Sequence, residues 1–77
     1  MIDSALITEH MEVVGSDGKH VGRVDHVKGG EIELAKLDLQ TLGTHRMIPL
    51  SWVEYIDDKV HLSMDREEAE DNWLKKN

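Results

Sequence analysis

Histidine is the residue type in this chain whose number and spacing could support chemistry. There are five in 77 residues, at positions 10, 20, 26, 45 and 61. Imidazole binds transition metals and changes its charge near neutral pH, but a metal site needs two or more ligands within a few ångströms. His20 and His26 lie roughly 20 Å apart on one predicted strand at ~3.3 Å per residue, too far to share an ion. His45, His61 and His10 lie on other segments and could approach one another.

We therefore predict that the histidines lie exposed on strand faces, with no bound metal and no cofactor. The alternative is a histidine-based sensor of pH or metal ions. Five imidazole titrations would offset most of the formal net charge of −7.

Carboxylates and hydroxyls give weaker indications of chemistry. Asp57-Asp58, with Asp25 and Asp38, contains the groups of an acid–base pair or a magnesium site, but adjacent aspartates are typical of turns. Ser51 and Ser63 lack the signature of an activated serine nucleophile, and the glycines are too dispersed for a phosphate loop. No catalytic residue is predicted, and we expect a protein that is not an enzyme.

Composition excludes several classes of partner. Sixteen acidic residues outnumber nine lysines and arginines, which are scattered along the chain. Without a basic stripe, neither nucleic acid nor an anionic membrane is an expected partner. The chain has no cysteine, which favours a reducing cytoplasm and excludes thiolate chemistry. No signal peptide or apolar run of about 20 residues is visible.

The apolar pattern predicts a mainly β protein with short strands. Asp17-Gly18 and Gly29-Gly30 predict tight turns, because glycine accepts positive φ. Pro49 ends or edges a strand, since it cannot donate a ladder hydrogen bond. A short 3₁₀ turn is expected within residues 50–56. The predicted strands are Met11–Val14, His20–Val27, Glu31–Lys36, His45–Ile48 and Lys59–Leu62.

The second strand breaks strict alternation. Val21, Val24 and Val27 are spaced by three residues, whereas one face of a strand repeats every two. A β-bulge near Gly22 would restore an inward direction for all three valines and bend the strand.

The predicted core contains mostly β-branched residues. In the third strand, Ile32 and Leu34 point inward, while Glu31, Glu33 and Ala35 point outward. Residues 37–44 form the longest predicted loop, in which Leu39 and Leu42 either fold back on the core or stand exposed. The predicted core residues are Val14, Val21, Val24, Val27, Ile32, Leu34, Ile48, Val60 and Leu62.

One short helix is predicted at the C-terminus, over about residues 65–76. Asp65 and Glu68 have the spacing of a capping box, and Lys75 and Lys76 suit the negative end of the helix dipole. Ala69 and Trp73 lie on one face. We expect that face to pack on its own barrel or to contact a partner or second copy.

The pattern resembles the PRC-barrel superfamily over about residues 9–63. Matching phrases are Ser16-Asp17-Gly18, Val21-Gly22, Ile48-Pro49 and Trp52-Val53. Residues 10–18 and 20–26 look closer still to a family of short stand-alone bacterial proteins of unknown function. The resemblance implies a single domain over residues 1–77, a small β-barrel of about five to six strands with one short C-terminal α-helix. It carries no catalytic residue.

The sequence thus predicts a non-catalytic protein-interaction module, acting alone or as a homodimer. The histidine-based sensor is the second hypothesis. A ribosome-assembly-like adaptor is the third and rests on analogy of fold alone.

Overall fold

A computed structural model describes residues 4–35 and 45–75 of the chain, with side chains as far as Leu74. It contains seven strands and one α-helix. A 3₁₀ turn at Ser4–Leu6 precedes the first strand, and another at Leu50–Trp52 precedes the fifth. The elements are β1 (Glu12–Val14), β2 (His20–Lys28), β3 (Glu31–Leu34), β4 (Arg46–Pro49), β5 (Val53–Ile56), β6 (Val60–Leu62), α1 (Arg66–Asn72) and β7 (Leu74–Lys75).

The strands form one hydrogen-bonded sheet in the order β5-β6-β1-β2-β3-β4-β7. Neighbouring strands are antiparallel except β1 and β6, which run parallel. Strand β2 pairs with β1 through its first residues and with β3 through its last. It therefore belongs to both halves of the sheet.

The sheet is open, with β5 and β7 as its two edges. The predicted mainly β fold with one short C-terminal helix is confirmed, but the barrel is not closed. Strand β7 is only two residues long, so the number of longer strands agrees with the predicted five to six.

Two bulges bend β2. Val13 and Val14 pair with Gly22 and His20, which leaves Val21 as an extra residue. Further along, Val24 pairs with Leu34 and His26 with Glu33, which leaves Asp25 as a second extra residue. The predicted bulge near Gly22 is confirmed, and the one at Asp25 was not predicted. Each extra residue shifts the alternation by one position.

Turn chemistry connects the strands as predicted. Gly29 and Gly30 join Lys28 to Glu31 and both have positive φ, as a two-residue hairpin link requires. Gly18, at φ 78°, donates its N–H to Gly15 O. Pro49 is the last residue of β4.

The core lies on one face of the curved sheet. Every predicted core residue is buried except Val27, which is half-buried against the core. One outward prediction needs correction: Glu33 does point away from Ile32 and Leu34, yet it is only 3% exposed. Buried apolar residues outside the predicted core list are Ile7, Val13, Val53 and Ala69, the last on the helix face that was predicted to pack.

The helix is shorter than predicted. Asp65 caps it by accepting a 2.8 Å hydrogen bond from Glu68 N, as expected. It ends at Asn72, whose side chain donates to Glu68 O at 2.8 Å. Trp73 then turns to an extended conformation, so Lys75 belongs to β7. Lys76, the strand end at Lys36, and the predicted loop with Leu39 and Leu42 lie outside the described residues.

Candidate functional site

Four ionisable side chains from β2, β3 and the residue just before β4 come together on the face opposite the core. We call Asp25, His26, Glu33 and His45 the histidine–carboxylate cluster. His26 Nδ1 lies 3.0 Å from Asp25 Oδ2, and its Nε2 lies 3.6 Å from Glu33 Oε1. The cluster thus joins three consecutive segments of the sheet.

Glu33 is the centre of this cluster. Its side chain is 4% exposed, whereas His26 is 47% and His45 27% exposed. His45 Nδ1 lies 3.3 Å from Glu33 Oε2 and 2.9 Å from the Leu34 carbonyl oxygen. A buried carboxylate is thereby flanked by two imidazoles.

The second bulge of β2 explains how Asp25 enters the cluster. In a regular strand, adjacent residues point to opposite faces. Asp25 is the extra residue of the bulge, so it and His26 both reach the outer face. Ligand atoms of Asp25, Glu33 and His45 lie within 4.8 Å of one another.

An imidazole lone pair of the histidine–carboxylate cluster faces a carboxylate. His26 Nδ1 has a carboxylate partner in Asp25, so it carries the hydrogen, and a neutral ring would then direct the Nε2 lone pair toward Glu33. A metal ion between the two atoms would remove that repulsion.

A second candidate surface is a half-open groove between the β1–β2 turn and the β5–β6 hairpin. Its volume is 350 Å³, and its lining includes Gly15, Ser16, Glu54, Tyr55 and His61. The Tyr55 and His61 rings stack with centroids 4.1 Å apart and planes 9° apart. Tyr55 is 50% exposed, so this groove presents an aromatic ring to solvent.

Asp57 holds the histidine of this pair. Its Oδ1 accepts from Lys59 N at 2.8 Å and lies 2.8 Å from His61 Nε2. The Lys59 N–H lowers the pKa of Asp57 below its ordinary value of 3.8; desolvation opposes this, and His61 and Asp58 lower the pKa further. The carboxylate therefore stays ionised and fixes the imidazole against Tyr55.

The helix packs on the protein's own sheet. Ala69 is fully buried, and Trp73 is half-buried against the core. The Arg46 guanidinium lies over the Trp73 ring, 5.4 Å from its centroid, an arrangement that favours a cation–π interaction. The further prediction that Trp73 and Ala69 contact a partner stays a prediction.

Three of the five histidines lie beside carboxylates of their own. His10 lies beside Glu9, His20 beside Glu12, and His61 beside Asp57. The other two, His26 and His45, share Glu33. Six residues that were predicted to have turn or strand roles lie in β2, at the end of β4 or in the turns on either side of β2: Asp17, Gly18, Gly22, Gly29, Gly30 and Pro49.

One contact of the cluster was predictable and another was not. A two-residue link at Gly29-Gly30 pairs Lys28 with Glu31, and counting back along both strands pairs His26 with Glu33. The position of His45 beside Glu33 could not be predicted, because it depends on how β4 pairs with β3 across the long connection between them. The prediction that the chain binds no metal stays a prediction.

Together the described residues define a small, open-sheet β domain with a histidine–carboxylate cluster on one face and an aromatic groove between two of its turns. Residues 7–70 match the family described as "Uncharacterized protein conserved in bacteria (DUF2171)". The chain belongs to this family, in agreement with the predicted resemblance to short bacterial proteins of unknown function. The PRC-barrel assignment stays a prediction.

A search of curated proteins gives no match. Among the described residues, no helix has both the length and the apolar character needed to cross a membrane.

Proposed function

We propose that this protein is a non-catalytic interaction module of the cytoplasm, and that it binds a cationic, arginine-bearing segment of a partner protein in the Tyr55 groove. The observation that carries the proposal is the half-exposed Tyr55 ring, stacked on His61 at the groove. The absence of cysteine from the sequence favours a reducing compartment.

Tyrosine is well suited to anchor an interface. It offers a large contact area with only two rotatable side-chain bonds and keeps a polar hydroxyl. Here the ring is already held in place, because it stacks on His61 and Asp57 holds that imidazole. A pre-ordered anchor loses less conformational entropy on binding.

The shape of the groove favours a macromolecular partner over a small substrate. Ligand and substrate pockets enclose most of the bound molecule. This groove is half open to solvent between the β1–β2 turn and the β5–β6 hairpin. A side chain of another protein can lie in it while the rest of the partner stays outside.

Charge indicates the chemistry of the partner. Glu54 lines the groove, Asp57 and Asp58 form the adjoining turn, and the chain carries a net charge of −7. A guanidinium can stack on an aromatic face and pair with carboxylates at the same time. Arginine therefore satisfies both features of this surface.

Panning a random peptide library on the immobilised protein tests this function. We expect enrichment of arginine-bearing peptides whose addition to ¹⁵N-labelled protein shifts the resonances of Tyr55 and His61. The substitutions Tyr55→Ala and Glu54→Lys should abolish the enrichment. Glu9→Lys makes the same charge change outside the groove and should leave it intact.

Two results would overturn the proposal. One is an absence of enriched peptides, or equal enrichment on the Tyr55→Ala protein. The other is a dimer that dissociates on Tyr55→Ala in analytical ultracentrifugation, because a second copy would then occupy the groove.

The second candidate function is a histidine-based sensor of protons or metal ions. Two imidazoles beside the buried Glu33 carboxylate favour it. This candidate uses the face opposite the core and does not depend on the groove.

A further inference from the structure

We infer that the histidine–carboxylate cluster is a binding site for a divalent transition-metal ion of the Zn²⁺ type, with Asp25, His26, Glu33 and His45 as its ligands. The four residues supply two imidazoles and two carboxylates, the nitrogen and oxygen ligands that such ions accept. Imidazole disfavours Mg²⁺ and Ca²⁺, which prefer sites made of oxygen alone. The inference stands independently of the proposed groove.

The spacing of the ligand atoms fits a tetrahedral ion. Metal–ligand bonds of Zn²⁺ at tetrahedral angles place neighbouring ligand atoms about 3.3–3.5 Å apart. His26 Nε2 and Glu33 Oε1 are 3.6 Å apart, too long for a hydrogen bond and close to this spacing. The ligand atoms of Asp25, Glu33 and His45 lie within 4.8 Å of one another, so side-chain rotations that shorten these distances and keep His26 Nε2 beside Glu33 would complete the site.

The hydrogen-bond partners of the two histidines prepare them for a metal. The Leu34 carbonyl lies 2.9 Å from His45 Nδ1 and can only accept, so that nitrogen carries the hydrogen. The neutral ring keeps its lone pair on Nε2. Because Nδ1 is the atom that lies 3.3 Å from Glu33 Oε2, the ring must turn to bring Nε2 to the ion. His26 Nδ1 has an equivalent partner in Asp25 Oδ2 at 3.0 Å, which leaves Nε2 free to bind. Carbonyl and carboxylate partners of this kind fix the tautomer of metal-binding histidines.

One ligand of the proposed site is buried and the other three are partly exposed, which suits an ion that enters from solvent. The Glu33 carboxylate forms the buried base, while the side chains of Asp25, His26 and His45 are 41%, 47% and 27% exposed. An ion can therefore enter without opening the core.

Titration of the metal-free protein with Zn²⁺, followed by calorimetry and by the melting temperature, tests the inference. We expect one equivalent to bind and the melting temperature to rise, because an ion that binds the folded state stabilises it. Mg²⁺ should have no such effect. Co²⁺ should give the visible absorption of a site with nitrogen and oxygen ligands, and acidification should release the metal.

Single substitutions locate the site. His26→Ala changes a half-exposed side chain, and we expect it to lower the Zn²⁺ affinity by at least about 10-fold. Loss of a residue that only hydrogen-bonds to a metal ligand already costs about that much. His45→Ala and Glu33→Gln should act at least as strongly. His20→Ala is the matched control, because His20 pairs with Glu12 away from the cluster, and it should bind Zn²⁺ like the parent.

The inference fails if millimolar Zn²⁺ leaves the melting temperature unchanged, because the folded protein would then not bind the ion. It also fails if His20→Ala weakens binding as much as His26→Ala. Circular dichroism of each variant identifies loss of fold, and the exposed position of His26 keeps the test valid if Glu33→Gln does not fold.

Discussion

Gly15 lies directly against the backbone of Arg66, where the helix begins. A Cβ atom on Gly15 would lie 2.6 Å from Arg66 N and 2.9 Å from Asp65 C. The neighbouring Ser16 N donates to Met64 O at 2.8 Å. The β1–β2 turn and the start of α1 are thus packed together through the one residue type without a side chain.

Gly15→Ala should therefore destabilise the protein by about 1–3 kcal/mol, the usual cost of overpacking. Two of the three clashing atoms, Arg66 N and Asp65 C, belong to the backbone and cannot rotate away. Urea unfolding measures the change. Ser16→Ala, at the exposed neighbouring position, is the control and should change the free energy of unfolding by less than about 0.5 kcal/mol. Equal stability of Gly15→Ala and the parent would contradict this packing.

Val24→Ala should cost about 1–3 kcal/mol, from the lost transfer energy and the cavity left behind. Val24 is 1% exposed between the two bulges of β2. Val27→Ala removes the same atoms from a half-buried position and should cost less. Urea unfolding of both variants checks the order, and a larger loss for Val27→Ala would show that the bulges are misplaced.

Deleting residues 65–77 should lower the melting temperature without changing the oligomeric state. The deletion removes Ala69 and Trp73 from the core surface that they cover. Differential scanning fluorimetry and analytical ultracentrifugation measure the two quantities. Asp65→Ala removes only the helix cap and should cost about 0.5–2 kcal/mol. A dimer that becomes a folded monomer on truncation would assign the helix to an interface instead.

The carboxyl group of Asp57 should titrate below pH 3.8, its ordinary value, when followed by ¹³C NMR. Lys59 N–H is the first cause of the lowered pKa, and His61 is a further one. Because the folded-state pKa is lowered, the stabilising contribution is present above pH 3.8 and is lost as the pH falls through the folded-state pKa. His61→Ala should raise the midpoint only in part.

His10→Ala is the control for this titration, since His10 pairs with Glu9 instead. It should leave the midpoint of Asp57 unchanged. A midpoint at or above 3.8 in the parent protein would contradict the hydrogen bonds of this turn.

Local chemistry made much of the fold predictable. Two features that depend only on nearby residues appear as expected. The Gly29-Gly30 link has positive φ at both positions, and the Asp65 carboxylate caps the helix. The end of the helix was misjudged because Asn72 caps Glu68 O and Trp73 turns toward the core. Lysines that suit a helix dipole could not indicate this competing contact.

The cluster was harder to predict because it depends on contacts between distant segments. Alternation correctly assigns Glu33 to the outward face, but no local pattern tells whether that face is covered. Its burial depends on neighbours such as His45, twelve residues further along. For the same reason, the sequence marks Gly15 only as a turn residue and does not indicate its contact with Arg66.

Asp25, the extra residue of the second bulge in β2, affects how this domain tolerates a deletion. Removing one residue from a strand normally turns every following side chain to the wrong face. Without Asp25, however, Val24 would still pair with Leu34, and His26 would still pair with Glu33. A sequence that lost this aspartate would keep its core and lose one proposed ligand, so the metal affinity of the domain can change by a single-codon deletion at little cost to its fold.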